Sequence, residues 1–168
     1  AAISSKGQMA MVRHHQDLDI YRLDLDLLRH NSTTSPKPVL NSTQMESNPQ
    51  VSPDGTKIAM EANRGVFREI WTANIDSTNL NRVTNLMNPI TGSPAWSPDG
   101  RRIAFDCRVG GIPGIFVVPA EGGKVEAVTT AETAGVVPTW SPDGAWIYYS
   151  SFRGGRSELW RIAPSGGA

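Results

Sequence analysis

Pro94-Ala95-Trp96-Ser97-Pro98-Asp99-Gly100-Arg101-Arg102-Ile103-Ala104-Phe105 is the stretch that decides the fold of this chain. At its centre, proline presets φ for the first central position of a turn and aspartate suits the next. Glycine then takes the left-handed conformation that closes a bulged hairpin. The tetrapeptide recurs as Ser52-Pro53-Asp54-Gly55 and Ser141-Pro142-Asp143-Gly144, at intervals of 45 and 44 residues. A degraded copy, Ser4-Ser5-Lys6-Gly7, lies 48 residues before the first and keeps only the glycine. A looser turn is expected there.

The flanks repeat too. Asn48-Pro49-Gln50-Val51 and Val137-Pro138-Thr139-Trp140 match Ser93-Pro94-Ala95-Trp96. Apolar triplets follow each turn: Ile58-Ala59-Met60, Ile103-Ala104-Phe105 and Ile147-Tyr148-Tyr149. Gly65, Gly110 and Gly154 come next, then the pairs Ile70-Trp71, Ile115-Phe116 and Leu159-Trp160. Val83-Thr84 and Val128-Thr129 close two of the units. Each unit therefore reads as four short strands, a to d, with Ser-Pro-Asp-Gly joining a to b. In Leu18 to Leu28 the alternation of Tyr21, Leu23, Leu25 and Leu27 with Arg22, Asp24 and Asp26 favours strand over helix.

Adjacent residues of a strand point to opposite faces, yet Ile115-Phe116-Val117-Val118 and Ile147-Tyr148-Tyr149 offer no polar side. Sheets covered on both faces, at a repeat near 40 to 45 residues, are blades stacked around an axis. The fold class is all-β: β-propeller blades of four antiparallel strands, about four units, incomplete. The units run roughly 1–46, 47–91, 92–135 and 136–168, the last lacking its fourth strand. Such an array is open or is completed by oligomerisation, because its end faces and edges invite contact. A homo-oligomer, or packing on further blades, is expected.

Composition excludes several classes. Sixteen basic and sixteen acidic residues cancel, which gives no global attraction to nucleic acid or anionic membrane. No apolar stretch approaches the roughly 18–20 residues of a membrane span. Cys107 is the single cysteine, so no intrachain disulfide can form. The compartment is not set by these features; periplasm and bacterial cytoplasm both suit them.

Pro-x-Trp-Ser-Pro-Asp-Gly, Ile-Ala-Phe, a glycine, Ile-Phe and a closing Val-Thr resemble the WD-like repeat of TolB-type β-propellers, over essentially the whole chain. The resemblance implies a six-bladed or larger parent. Similar blades occur in periplasmic proteins that bind partner proteins, in gating propellers of prolyl oligopeptidase-like peptidases, and in sensor portions of bacterial winged-helix regulators. Arg22-Leu23-Asp24-Leu25 and Pro119-Ala120-Glu121-Gly122-Gly123 look closest to the regulator arrays.

Catalytic patterns are not found. Gly-x-Ser-x-Gly does not occur, and a hydrolase would need it with a positioned histidine and acid. Gly110-Gly111-Ile112-Pro113-Gly114 lacks phosphate-loop spacing and reads as a b–c hairpin. No cofactor and no metal are expected. Asp54, Asp99 and Asp143 read as turn residues, neighbours His14 and His15 would point apart, and His30 sits in a polar loop. That loop, His30 to Pro38, reads as a lengthened c–d connection. The sequons Asn31-Ser32-Thr33 and Asn41-Ser42-Thr43 read as polar loop residues.

Candidate binding residues are Arg64, Arg108, Arg153 and Trp146. Arg64 precedes Glu69 by five residues and Arg153 precedes Glu158 by five, which predicts ion pairs across the b–c hairpins. Near Arg108, Gly114 occupies the place of that acid, leaving the guanidinium to receive an acidic group from a ligand or partner. Trp71, Trp96, Trp140 and Trp160 recur at fixed offsets and read as interblade core. Trp146 stands where other units have Lys57 and Arg102, and is expected to be the most exposed tryptophan. The function expected is non-catalytic recognition of a protein or peptide, with a sensory role in a larger bacterial regulator. The gating propeller of a peptidase is the alternative. A carbohydrate-active channel would need convergent ionisable groups, which the sequence does not assemble.

Overall fold

The computed structural model describes residues 2–3, 8–14, 18–26, 31–32, 35–87 and 90–166. Its regular structure is strands, apart from one 3-10 turn at Arg153–Gly155. The first sheet contains β1 (Ala2–Ile3), β2 (Gln8–His14) and β3 (Leu18–Asp26). Short β4 (Asn31–Ser32) pairs with the end of β3, and β5 (Lys37–Leu40) pairs with its beginning. The expected c–d loop of this unit thus contains strand pairing at both ends. The second sheet is β6 (Met45–Val51), β7 (Lys57–Asn63), β8 (Glu69–Asn74) and β9 (Asn81–Arg82). The third is β10 (Thr91–Trp96), β11 (Arg102–Val109), β12 (Ile112–Pro119) and β13 (Glu126–Ala127). The fourth has three strands: β14 (Val136–Trp140), β15 (Ile147–Ser151) and β16 (Glu158–Ile162). The degraded turn Ser4–Gly7, His15 and His30 lie outside the described residues.

One register serves the last three sheets. Met60 faces Trp71, Phe105 faces Phe116, and Tyr149 faces Trp160. Ser-Pro-Asp-Gly builds the same turn each time. The Ser97 hydroxyl donates to Asp99 Oδ1 at 2.6 Å, the Arg101 N–H donates to the same oxygen at 3.1 Å, and the Arg102 N–H donates to Ser97 Oγ at 2.9 Å. Ser141 and Asp143 repeat this, as do Ser52 and Asp54. The closing glycines hold φ of 75°, 69° and 70°, a region that costs a residue with Cβ. The three aspartates serve the turns locally.

Alternation decides which sheet each side chain meets. Ile103 and Phe105 pack with Ala59, Ile70 and Val83 of the second sheet. Ala104 and Ile115, between them on the opposite face, pack with Trp140, Ile147 and Tyr149 of the fourth. Ile58 and Met60 turn toward Ile20, Val39 and Leu40 of the first. At roughly 25 cal/mol per Å², burial on both faces is the main stabilising term of each sheet. Trp96 Nε1 donates to the Gln50 carbonyl at 3.0 Å, and Trp140 Nε1 donates to the Ala95 carbonyl at 3.2 Å. Both are interblade residues, as their repeated offset predicts.

The Val-Thr pair closes the outer edge of each interior blade. Val83 N–H donates to the Ile70 carbonyl at 2.9 Å, while Ile70 N–H donates to Thr84 Oγ1 at 2.9 Å. Val128, Ile115 and Thr129 repeat this at 2.8 Å for both bonds. A threonine hydroxyl here completes a ladder that the two-residue strands β9 and β13 are too short to finish.

Candidate recognition surface

Strand a of each later blade carries a bulge whose first residue has positive φ: Asn48 at 49°, Ser93 at 52° and Val137 at 56°. Prolines 49, 94 and 138 follow and bring no N–H of their own. A bulge removes its N–H from the regular ladder, and at Ser93 and Val137 a carboxylate from the preceding blade takes it up. Glu61 Oε1 accepts the Ser93 N–H at 2.7 Å, and Asp106 Oδ2 accepts the Val137 N–H at 2.7 Å. Both acids stand six residues after a turn glycine, a repeated offset the sequence reading missed. Serine occupies that place in the fourth unit, at Ser150.

Glu61 is buried, and it also accepts from Ser47 Oγ at 3.2 Å, from Arg68 at 3.1 Å, and from Asn48 Nδ2. Burial pushes the Asp106 carboxyl above its ordinary value. The Val137 N–H and Ser93 hydroxyl act against that rise, and the Arg108 charge helps them, while the Glu61 charge adds to it. The bulges with Gln50, Pro94, Ala95, Pro138 and Thr139 line a groove of about 400 Å³ along the strands a.

The sequence-predicted arginines come to one rim, where the b–c hairpins and the d–a connections meet. Their partners differ from those expected. Arg64 donates to Glu46 Oε1 at 2.6 Å rather than to Glu69, and lies 5.7 Å over the Trp71 ring. Glu69 is buried and already accepts from Thr84 Oγ1 at 2.5 Å, Leu86 N–H at 2.8 Å and Met87 N–H at 2.9 Å. Glu46 is fully buried. Burial pushes its carboxyl up, with the Ser42 hydroxyl and Arg64 acting the other way. Arg153 donates to the Tyr149 hydroxyl at 2.7 Å, not to exposed Glu158, and lies 4.4 Å over Trp160.

Arg108 is displaced by one residue from the pattern expected for it. Cys107 pairs with Gly114 as Ala62 pairs with Glu69 and Ser151 with Glu158. Val109 is therefore the counterpart of Arg64 and Arg153, and Arg108 matches Asn63 and Phe152. Arg108 is exposed at the hairpin, and its charge acts on Asp106. Trp146 goes to the other rim, beside its turn, where Arg161 covers it at 4.3 Å. Trp160 is the more exposed of the two, at 38%, because nothing pairs with the outer edge of β16 among the described residues. No cluster of metal-ligating side chains and no helix long and apolar enough to cross a membrane occur among the described residues.

Repeated four-stranded sheets, stacked face to face and joined strand a to strand b, define an all-β propeller array. The family model for the TolB beta propeller domain matches residues 8–168, and the chain belongs to that family. A Tol-Pal system protein TolB from Anaeromyxobacter dehalogenans is 36% identical over 101 residues, covering 60% of this chain and 23% of its own length. The crystal structure of TolB from Acinetobacter baumannii superposes with a TM-score of 0.84 at 22% identity, covering 99% of this chain and 41% of that one. A prolyl endopeptidase structure matches with a TM-score of 0.67 at 18% identity, over 95% of this chain and 27% of that one. The chain spans only 17% to 23% of the length of the curated relatives it matches.

Proposed function

We propose that this chain is a non-catalytic propeller segment that recognises a protein or peptide through the ends of its strands and their connections. One contrast carries the reading. Polar groups that repeat between units are consumed in turns, edges and blade joints, whereas the matching positions at the b–c hairpins differ: Arg64, then Val109, then Arg153. Side chains that vary on a repeated scaffold are where recognition is placed. A relative named as a Tol-Pal system protein supports a protein partner.

Titration calorimetry of the chain against Tol-Pal components of its own source organism tests the reading. Saturable binding is the expected result, and its absence with every component would count against a Tol-Pal partner. A sensory role in a larger regulator is the finer form of this proposal, and a winged-helix segment upstream in the gene would support it. The likeness to prolyl endopeptidase propellers favours a second reading, a peptidase gate, which requires an α/β-hydrolase segment in the same gene. Self-association belongs to the same proposal. Leu159 is 74% exposed, while Ile70 and Ile115 at the matching place are fully buried, so sedimentation of Leu159→Glu beside wild type would detect it.

A further inference from the structure

The two rims of the array differ in chemistry. Eleven large apolar side chains are exposed among the described residues, and seven of them sit on the rim of b–c hairpins and d–a connections. Val66 is 84% exposed, Phe152 70% and Met87 69%, with Val109 and Ile112 at the tip of the third hairpin. Among the described residues, the opposite rim, of Ser-Pro-Asp-Gly turns and c–d loops, exposes one such residue, Leu80. Singly scattered apolar residues need no explanation, but a concentration on one edge marks a contact surface.

The charge on that rim is divided by depth. Glu46, Glu61 and Glu69 are buried in ion pairs or hydrogen bonds. Among the described residues of this rim, Arg68, Arg108 and Arg156 are exposed, Arg64 and Arg153 are half-buried, and Glu132 and Glu158 are the exposed carboxylates. What the rim presents outward is apolar and guanidinium-rich. It also has recesses the size of side chains. One of about 270 Å³ lies among Arg64, Phe67, Trp71 and Met87, and another of about 330 Å³ among Pro113, Val136, Phe152 and Arg153. Each sets an arginine among apolar walls, beside one carboxylate: buried Glu69 in the first and exposed Glu132 in the second.

The geometry points to the b–c rim as the docking surface for a peptide segment that carries large apolar side chains together with carboxylates. This rests on the recognition reading above and names the rim and the partner's chemistry. Apolar side chains fill the recesses, and carboxylates meet the arginines in charge-assisted hydrogen bonds. Discrete recesses favour a peptide over a lipid surface.

A phage-displayed library of random dodecamers panned against the full chain tests it, with Val66→Asp, Phe152→Asp and Leu80→Asp as variants. All three side chains are exposed, and an unchanged Tm verifies folding. Selected peptides should combine Asp or Glu with large apolar residues. They should bind Val66→Asp or Phe152→Asp at least tenfold more weakly, and Leu80→Asp within twofold of wild type. Peptides sensitive to Leu80→Asp alone, or basic peptides, would overturn the rim assignment and leave the recognition reading intact. Binding to anionic phosphatidylglycerol vesicles with no peptide enriched would overturn it in favour of a membrane. No binding to either probe would sink both readings.

Discussion

The Asp106 carboxylate accepts the backbone N–H of Val137 at 2.7 Å, across the boundary between the third and fourth blades. Glu61 and Ser93 repeat this contact one blade earlier. Neighbouring blades are thus held by packed apolar faces, by tryptophan N–H groups reaching back to a carbonyl, and by a carboxylate reaching forward to a bulge.

Glu61→Ala should destabilise the chain by about 2–4 kcal/mol. It strips four donors of their acceptor, among them the Ser93 N–H and the Asn48 amide, while the exposed Arg68 guanidinium passes to solvent. Asp106→Ala, with fewer donors, should cost about 1–3 kcal/mol. Urea unfolding should show the midpoint moving in that order.

Gly92 lies against the same carboxylate: a Cβ there would stand 2.5 Å from Glu61 Oε1. The far end of a glutamate usually yields, but this one is pinned by its donors. Gly92→Ala should cost about 1–3 kcal/mol. In the Glu61→Ala background the cost should fall to a fraction of that, and a double-mutant cycle measures the difference.

Thr84→Val keeps the shape but leaves the Ile70 N–H without its acceptor and removes a donor from Glu69. A loss of about 1–3 kcal/mol is expected. Thr129→Val should cost less, because Gly114 stands where Glu69 would be and only the Ile115 N–H is orphaned.

The turn aspartates should sharpen acid unfolding. The Ser97 hydroxyl, then the Arg101 N–H, hold the Asp99 carboxyl below its ordinary 3.8. A carboxyl lowered in the folded state contributes stability above its unfolded value, lost as pH falls through its folded one. Asp99→Asn should therefore lower Tm at pH 7 by about 2–4 °C, taking roughly 1 kcal/mol for the turn. The gap should close below pH 3.8, which thermal melts across pH 2–7 would show.

The sequence carries the scaffold in its punctuation. Gly55, Gly100 and Gly144 with their prolines and aspartates set the turns, and the apolar triplets behind them set which faces are buried. Strand pairing is less visible. A five-residue spacing suggested Arg64 with Glu69, yet Glu69 is consumed by the Thr84 hydroxyl and two backbone N–H groups, and Arg64 crosses to Glu46 on strand a. Arg108 was matched to Arg64 by residue type, whereas the register makes Val109 the counterpart. Trp146 broke the repeat and so looked exposed, but Arg161 covers it. The joining acids were legible in principle, since Glu61 and Asp106 share an offset. Their role depends on a bulge in the next blade, which strand periodicity does not reveal.

Hydrogen exchange at the Val137 amide tests the coupling of blades most directly. That N–H lies in a bulge on an exposed residue, so a chain whose sheets were not joined would exchange it within seconds. The account predicts protection comparable to the β15 amides in wild type, falling at least tenfold in Asp106→Ala while the β11 ladder stays protected. Exchange at the unprotected rate in the wild-type chain would contradict it.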